Sequence, residues 1–119
     1  MFKITVESGF ASAHRIREYG GDCENIHGHN FRVLLTASFP ELPASGMCMD
    51  FRILKKILNG VLDVLDHKDI NSLEYFREVN PTSENIAKYI FDRVSEEGVP
   101  VSEATVFETN SYSASYTGD

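Results

Sequence analysis

The chain has 119 residues, of which 42% are hydrophobic and 24% are charged, and its formal net charge is −7. This length and composition predict one globular domain, residues 1–119, with a single core. The negative charge argues against a general nucleic-acid or membrane-surface binder, because both kinds of partner need a basic protein face.

The N-terminal segment alternates apolar and polar residues from Phe2 to Val6, and the same parity continues to Phe10 and His14. This pattern predicts a half-buried strand that begins directly after Met1, with no signal peptide. No apolar run approaches the roughly 20 residues that span a bilayer. Two cysteines in a leaderless chain favour a reduced, cytoplasmic protein without a disulfide framework.

A polar, glycine-bearing loop over about residues 15–25 leads to a second predicted strand over residues 27–39. Its odd positions are apolar from Phe31 onward, and His27 and His29 share that parity. Side chains two residues apart project from the same side of a strand. If the two strands pair antiparallel through the loop, we expect the imidazoles of His14, His27 and His29 to point to the same side.

Two helices are predicted in the middle of the chain. Asp50 suits the N-cap of the first helix, whose apolar residues repeat at helical spacing up to Leu65 and which delivers Asp66 and His67 at its end. A polar linker over residues 68–80 follows. Residues 81–85 (Pro-Thr-Ser-Glu-Asn) are typical of a helix start with a hydroxyl cap, and Gly98 ends that helix.

Two short alternating segments, near residues 103–109 and 112–116, predict the last two strands. The element order is ββααββ, which favours an α+β domain: an antiparallel sheet with two helices on one face. The other face is polar, and the sheet has two edges to cover. We therefore expect the chain to form a homo-oligomer.

The three histidines predict a zinc site with three protein ligands and one open position, the arrangement of catalytic zinc. The alternative is that they are surface or core histidines that bind no metal. Cys23, in the polar loop, is either a fourth ligand of a structural zinc or a reactive thiolate beside the metal, and its spacing does not decide. Asp66 and His67 could supply a proton relay for such a thiol, or form a solvated helix end.

Glu108 shares the parity of Ala104 and Val106, so its carboxylate is predicted to lie on an apolar face. Buried carboxylates need partners, and a ligand with two adjacent N–H donors would supply them. The alternative is an exposed glutamate on an edge strand.

Taken together, these residues resemble the 6-pyruvoyltetrahydropterin synthase family, and within it the bacterial 6-carboxytetrahydropterin synthase branch. The matching segments, in the family's order, are Phe-Ala-Ser-Ala-His (10–14), Cys-x-x-x-His-Gly-His (23–29), Met-Asp-Phe (49–51), Leu-Asp-His (65–67), Pro-Thr-Ser-Glu-Asn (81–85) and Val-Phe-Glu-Thr (106–109). They cover nearly the whole chain, and the joint match is specific although no single segment is.

The resemblance implies a tunnelling fold (T-fold), whose subunits assemble into barrels, often as trimers or hexamers. It makes His14, His27 and His29 the ligands of Zn²⁺ and Cys23 the general base. Asp66 and His67 would complete the relay of that base across a subunit interface. Glu108, assisted by Thr109, would bind the amino-pyrimidinone edge of the pterin.

The implied reaction converts 7,8-dihydroneopterin triphosphate to 6-carboxytetrahydropterin with loss of triphosphate and acetaldehyde, a carbon–oxygen lyase step on the queuosine route. Arg15 and Lys68 are the basic residues suggested for the triphosphate. The three residues between Cys23 and His27 fit the carboxy branch, since the animal enzyme has a longer interval there.

One departure concerns Glu24, because Glu-x-x-His-Gly-His resembles the folate-pathway variant of the family, in which a glutamate replaces the cysteine. That variant yields 6-hydroxymethyl-dihydropterin, so a folate-type or dual-activity enzyme is a second hypothesis. Alternatively, Glu24 is an ordinary loop charge. A third hypothesis, of another class, is a non-catalytic domain with a structural zinc that binds a pterin or a partner protein.

Overall fold

The computed structural model describes residues 1–18 and 25–119. Its strands and helices, in chain order, are β1 (Phe2–His14), β2 (His27–Phe39), α1 (Phe51–Leu65), α2 (Ser83–Ser95), β3 (Val101–Thr109) and β4 (Tyr112–Tyr116). The predicted ββααββ order is confirmed. The predicted start of β3 near residue 103 is two residues late, because the strand begins at Val101.

The four strands form one antiparallel sheet in the order β1-β2-β3-β4. β1 and β2 pair along their whole length, from Phe2 opposite Phe39 to His14 opposite His27. The two strands approach closely at Gly9, where a Cβ would lie 2.7 Å from the carbonyl oxygen of Phe31. The register brings His14 and His27 to the same end of the sheet.

Both helices pack on one face of the sheet, α1 on β1 and α2 on β3 and β4. The apolar side chains at alternate positions of the strands form the sheet side of the core. Apolar side chains at every third or fourth position of each helix form the other side. The core side chains that are fully buried include Val33, Leu35, Leu54, Leu58, Leu65, Ile86, Ile90, Val94, Ala104 and Val106.

The capping hydrogen bonds predicted at the starts of the two helices are present. The Asp50 carboxylate accepts a hydrogen bond from the backbone N–H of Arg52, and the Thr82 hydroxyl accepts one from that of Asn85. Each bond satisfies a donor that the first helical turn would otherwise leave free. α2 therefore begins at a defined residue, Ser83, beside the end of the sheet that carries the histidines.

The segment predicted as a polar linker is more ordered than expected. It contains two 3₁₀ turns, Ile70–Ser72 and Glu74–Phe76, and both Ile70 and Phe76 are fully buried. Each turn is three residues long and buries one side chain, so neither produces the repeated apolar spacing of a longer element. The linker is thus part of the core as well as a connection.

The end of α1 is attached to the outer edge of β1. The backbone N–H of His67 donates to the Ala11 carbonyl at 2.6 Å, and that of Ala13 donates to the Lys68 carbonyl at 3.0 Å. Ser12, which is buried, donates its hydroxyl to the Leu65 carbonyl and accepts from the Lys68 N–H. These bonds fix the position of Asp66 and His67 relative to β1.

Within the described residues, no helix combines the length and the apolar character needed to cross a membrane.

Candidate metal centre

Three imidazoles meet at the end of the sheet beneath the start of α2. His14 is the last residue of β1 and is buried, whereas His27 and His29 open β2 on the same face and are partly exposed. The His14 ring centroid lies 4.6 Å from that of His27 and 5.5 Å from that of His29, and the last two are 4.9 Å apart. The expectation that all three rings point to one side is met.

Backbone carbonyls orient two of the three rings. Nδ1 of His14 lies 2.7 Å from the Pro81 carbonyl oxygen, and Nδ1 of His27 lies 2.7 Å from that of Asn25. A carbonyl can only accept a hydrogen bond, so Nδ1 carries the proton in both rings. In the neutral ring Nε2 then presents a lone pair, and this is the usual way in which a second bond orients a metal-binding histidine.

Burial and hydrogen bonding together favour a bound cation at this place. Burial lowers the pKa of His14, against the opposing effects of the Pro81 carbonyl and the Glu108 charge, and so favours the neutral ring. Nε2 of His14 and Nε2 of His29 are both buried, and among the described residues neither has a hydrogen-bond partner. Buried polar atoms without partners are rare, and an absent ion is one explanation for them.

The donor set fits zinc by its chemistry, because imidazole nitrogen is one of the ligands that zinc prefers in proteins. Imidazole also suits copper, iron and nickel, so the donors alone do not single out one metal. The residues present therefore fit a transition-metal ion held by His14, His27 and His29.

Glu108 joins this cluster from β3. Its Oε1 lies 2.9 Å from Nε2 of His29, 3.8 Å from that of His14 and 4.0 Å from that of His27. The four ligand atoms all lie within 4.8 Å of one another. The carboxylate, predicted to meet a ligand on an apolar face, lies among the imidazoles, with its side chain 31% exposed.

Thr109, predicted to assist Glu108, does not join the cluster. It is exposed, and its hydroxyl accepts a hydrogen bond from the Ser111 N–H in the turn between β3 and β4.

Asp66 and His67 form a separate pair at the end of α1. Nδ1 of His67 lies 2.9 Å from Oδ2 of Asp66, whose Oδ1 accepts from the Ala11 N–H. The bond from Ala11, followed by that from His67, lowers the pKa of Asp66. Within the described part of the chain this pair forms no hydrogen bond or ion pair with the imidazole cluster, and the His67 side chain is 81% exposed.

The backbone at His67 is unusual. Its φ is 54°, in the left-handed region that a non-glycine residue seldom occupies. Such strain persists only where surrounding contacts fix it, and it is concentrated at functional sites. Here the bonds of Asp66 and His67 to Ala11 fix the conformation.

Cys23 and Glu24 lie outside the described residues, but the chain on the N-terminal side of their loop is held firmly. The Asn71 side chain accepts from the Arg15 N–H at 2.8 Å and donates to the Arg15 carbonyl at 3.0 Å. Asn80 makes the same two bonds to Arg17, at 3.0 and 2.9 Å. The side chains of Asn71 and Asn80 thus bond the backbone beyond β1 in the way that a neighbouring strand would.

The two basic residues suggested for the triphosphate, Arg15 and Lys68, are both exposed, and neither side chain forms an ion pair among the described residues.

Sequence reasoning missed Asn71, Asn80, Ser83 and the Pro81 carbonyl. The Ser83 hydroxyl donates to Oε2 of Glu108 at 3.3 Å, and Ser83 is buried. Asparagine and serine are the ordinary residues of linkers and helix starts, so no pattern in the sequence sets these apart. Their partners are 25 to 67 residues away in the chain.

Comparison with known proteins gives consistent matches over nearly the whole chain. A family model described as 6-pyruvoyl tetrahydropterin synthase matches residues 3–119. A Synechocystis protein named 6-carboxy-5,6,7,8-tetrahydropterin synthase is 35% identical, over 98% of this chain and 93% of the relative. The human 6-pyruvoyl tetrahydrobiopterin synthase is 36% identical, over 83% of this chain and 72% of the relative.

Among solved structures, a Caenorhabditis elegans 6-pyruvoyl tetrahydropterin synthase superposes with a TM-score of 0.85 at 29% identity, covering 100% of this chain and 98% of the other.

Proposed function

Because the chain belongs to the 6-pyruvoyl tetrahydropterin synthase family, we propose that it is a zinc-dependent 6-carboxytetrahydropterin synthase. Its substrate would be 7,8-dihydroneopterin triphosphate, and its products 6-carboxytetrahydropterin, triphosphate and acetaldehyde, on the route to queuosine. The observation that carries the proposal is the convergence of three imidazole Nε2 atoms, two of them buried without hydrogen-bond partners among the described residues.

The proposed metal ligands are His14, His27 and His29. When bound there, a zinc ion supplies a Lewis acid that polarises substrate oxygens. The carbonyls of Pro81 and Asn25 hold two of the rings so that Nε2 faces the cluster. The three donor nitrogens are therefore in position before a metal binds. Because two paired strands hold them, a metal bound there would hold the substrate in a fixed orientation.

Asp66 and His67 are proposed to act as a proton relay. The Asp66 carboxylate accepts a hydrogen bond from Nδ1 of His67, which leaves Nε2 of that ring as the atom that takes a proton. Because the ring is 81% exposed and lies on the outer side of β1, its partner would approach from a neighbouring subunit. We propose that this partner is Cys23, acting as the general base that removes a proton from the substrate side chain.

Glu108 is proposed to accept N–H donors from the pterin, with Thr109 at the exposed end of the same strand. The α2 N-terminus lies beside this carboxylate through Ser83, and the positive end of a helix favours a negative charge. For the triphosphate, Arg15 and Lys68 offer exposed cationic side chains near the end of β1 and the end of α1.

Assignment to the carboxy branch rests on the spacing of Cys23 and His27 and on relatives bearing that name. Relatives with the pyruvoyl name match at similar identity, so names alone do not decide the product. Glu24 favours a second candidate, a folate-type or dual-activity enzyme that makes 6-hydroxymethyl-dihydropterin.

Product identification tests the proposal. The zinc-loaded protein is incubated with 7,8-dihydroneopterin triphosphate, and pterins and aldehydes are identified by mass spectrometry. We expect 6-carboxytetrahydropterin with acetaldehyde. Cys23→Ala should lower the rate by roughly 100-fold or more, as loss of a general base does, whereas Cys48→Ala, in the loop between β2 and α1, should not.

Glu24→Ala separates the two candidates. If 6-hydroxymethyl-dihydropterin is formed and disappears in this variant, the folate-type activity belongs to Glu24. Zinc-loaded protein that gives no pterin product would instead favour a non-catalytic domain. If Cys23→Ala and Glu24→Ala both leave every activity unchanged, the roles assigned to these residues are wrong.

A further inference from the structure

The carboxylate of Glu108 lies where a fourth metal ligand would lie. Its Oε1 lies 2.9 Å from Nε2 of His29, 3.8 Å from that of His14 and 4.0 Å from that of His27. The 2.9 Å contact with His29 is not a hydrogen bond, because Nε2 of His29 has no hydrogen-bond partner among the described residues. The carboxylate and the rings thus converge without bonding one another.

Hydrogen bonding on the far side of two rings directs their Nε2 atoms toward the carboxylate. Nδ1 of His14 and Nδ1 of His27 face carbonyl oxygens and therefore carry the ring protons. With the proton on Nδ1, Nε2 of His14 and Nε2 of His27 present lone pairs toward Oε1 of Glu108, at 3.8 and 4.0 Å. Acceptors that face one another in a buried place need a shared partner, and a metal cation bound by all of them is such a partner.

Ser83 holds the carboxylate in this orientation. Its buried hydroxyl donates to Oε2, so that Oε1 is left to face the imidazoles. Ser83 is the first residue of α2 and follows the N-cap Thr82, so its position is fixed by the helix rather than by a loop. The nearby helix N-terminus also favours the ionised carboxylate.

We propose that Glu108 is a fourth metal-binding residue in the substrate-free protein and that Ser83 is the positioning residue that holds it there. The inference rests on the metal site of the proposed function. It implies that the site is closed at rest, with four protein donors, and that it opens when substrate displaces Oε1 of Glu108. Contact with the pterin would follow that displacement.

Zinc affinity measured by competition with a chromogenic chelator tests the inference without using activity. Glu108→Gln should weaken zinc binding by about 100-fold, and Ser83→Ala by about 10-fold, as loss of a residue that orients a ligand commonly does. Glu103→Gln, which removes the same charge from the opposite face of β3, should leave the zinc affinity unchanged. In the cobalt-substituted protein, Glu108→Gln should also change the visible absorption spectrum.

The outcomes separate this inference from the proposed function. If His29→Ala weakens zinc binding while Glu108→Gln leaves both affinity and cobalt spectrum unchanged, Glu108 is not a ligand and only this inference fails. If His29→Ala also binds zinc like the wild-type protein, the metal site itself is wrong and both fail. Circular dichroism checks that each variant is folded. Should Glu108→Gln not fold, Ser83→Ala decides, since an unchanged affinity there overturns the inference.

Discussion

At the scale of single residues, the four histidines of this chain fall into two structurally distinct groups. His14, His27 and His29 converge with Nε2 inward, whereas His67 is 81% exposed and pairs with Asp66 at the end of α1. If the first group binds the metal and the other moves protons, removing one member of each group should give different losses. A common loss of folding would affect metal binding and turnover alike.

His27→Ala should lower zinc binding below one ion per site and abolish turnover, because one of the three imidazole donors is lost. His67→Ala should retain zinc with wild-type stoichiometry and lose roughly 100-fold in kcat, as expected for a group that acts in proton transfer. Metal analysis after dialysis and steady-state kinetics on both variants provide the comparison. Zinc loss in His67→Ala, or full zinc retention in His27→Ala, would contradict these roles.

The sequence predicts that the three imidazoles lie on one face of the sheet, but it does not predict which residues contact them. Strand parity, a short-range property, places His14, His27 and His29 on one face, and the structure has them there. The place of Glu108 among them depends on the pairing of β3 with β2, and the Ser83 bond depends on where α2 packs. Such long-range contacts leave no periodic pattern in one sequence.

At the scale of elements, the hydrogen bonds between the end of α1 and β1 fix the position of Asp66 and His67, the pair proposed as a proton relay. Ser12 bonds the carbonyl of Leu65 and the N–H of Lys68, which flank Asp66 and His67 on both sides. The strands and both helices were predictable because each strand alternates over five or more residues and both helices carry N-caps. The 3₁₀ turns and the bonds between α1 and β1 were not, since each depends on single side chains such as Ile70 and Ser12.

Ser12→Ala should destabilise the protein by about 1–3 kcal/mol, because the Leu65 carbonyl and the Lys68 N–H lose a buried partner. It should also lower kcat with little change in zinc affinity, since the relay pair shifts and the imidazoles do not. Urea unfolding and kinetics measure the two effects. Ser113→Ala, on exposed β4, is the control and should stay within about 0.5 kcal/mol of wild type. A Ser12→Ala variant with unchanged stability would show that the end of α1 is not held to β1 as described.

At the scale of the whole molecule, the chain has the tunnelling fold, and β1 and β4 are the edge strands of its sheet. The described residues extend over 54 × 26 × 25 Å, and a 13-residue strand, which rises about 3.3 Å per residue, spans about 43 Å of the long axis. The end of α1 covers β1 only near Ala11 and Ala13, whose backbone groups face outward. By parity, the backbone of Lys3, Thr5 and Glu7 also faces outward and is free to pair with the β4 edge of another copy.

Glu7→Pro should therefore convert the predicted oligomer to smaller species while the subunit still folds. Proline removes an N–H that faces away from β2 and so blocks only the addition of a strand. Glu7→Ala, which loses the same ion pair with Arg32, is the matched control and should assemble normally. Native mass spectrometry measures the assembly. An oligomer unaffected by Glu7→Pro would place the interface elsewhere.

Reconstitution of the metal-free protein with zinc tests the metal site and the proposed reaction together. Zinc is titrated into the apoprotein, and bound metal and formation of 6-carboxytetrahydropterin from 7,8-dihydroneopterin triphosphate are followed together. We expect product formation to rise in proportion to bound zinc and to saturate when every set of His14, His27 and His29 is occupied. Full occupancy without product, or equal turnover by the zinc-free protein, would contradict this expectation.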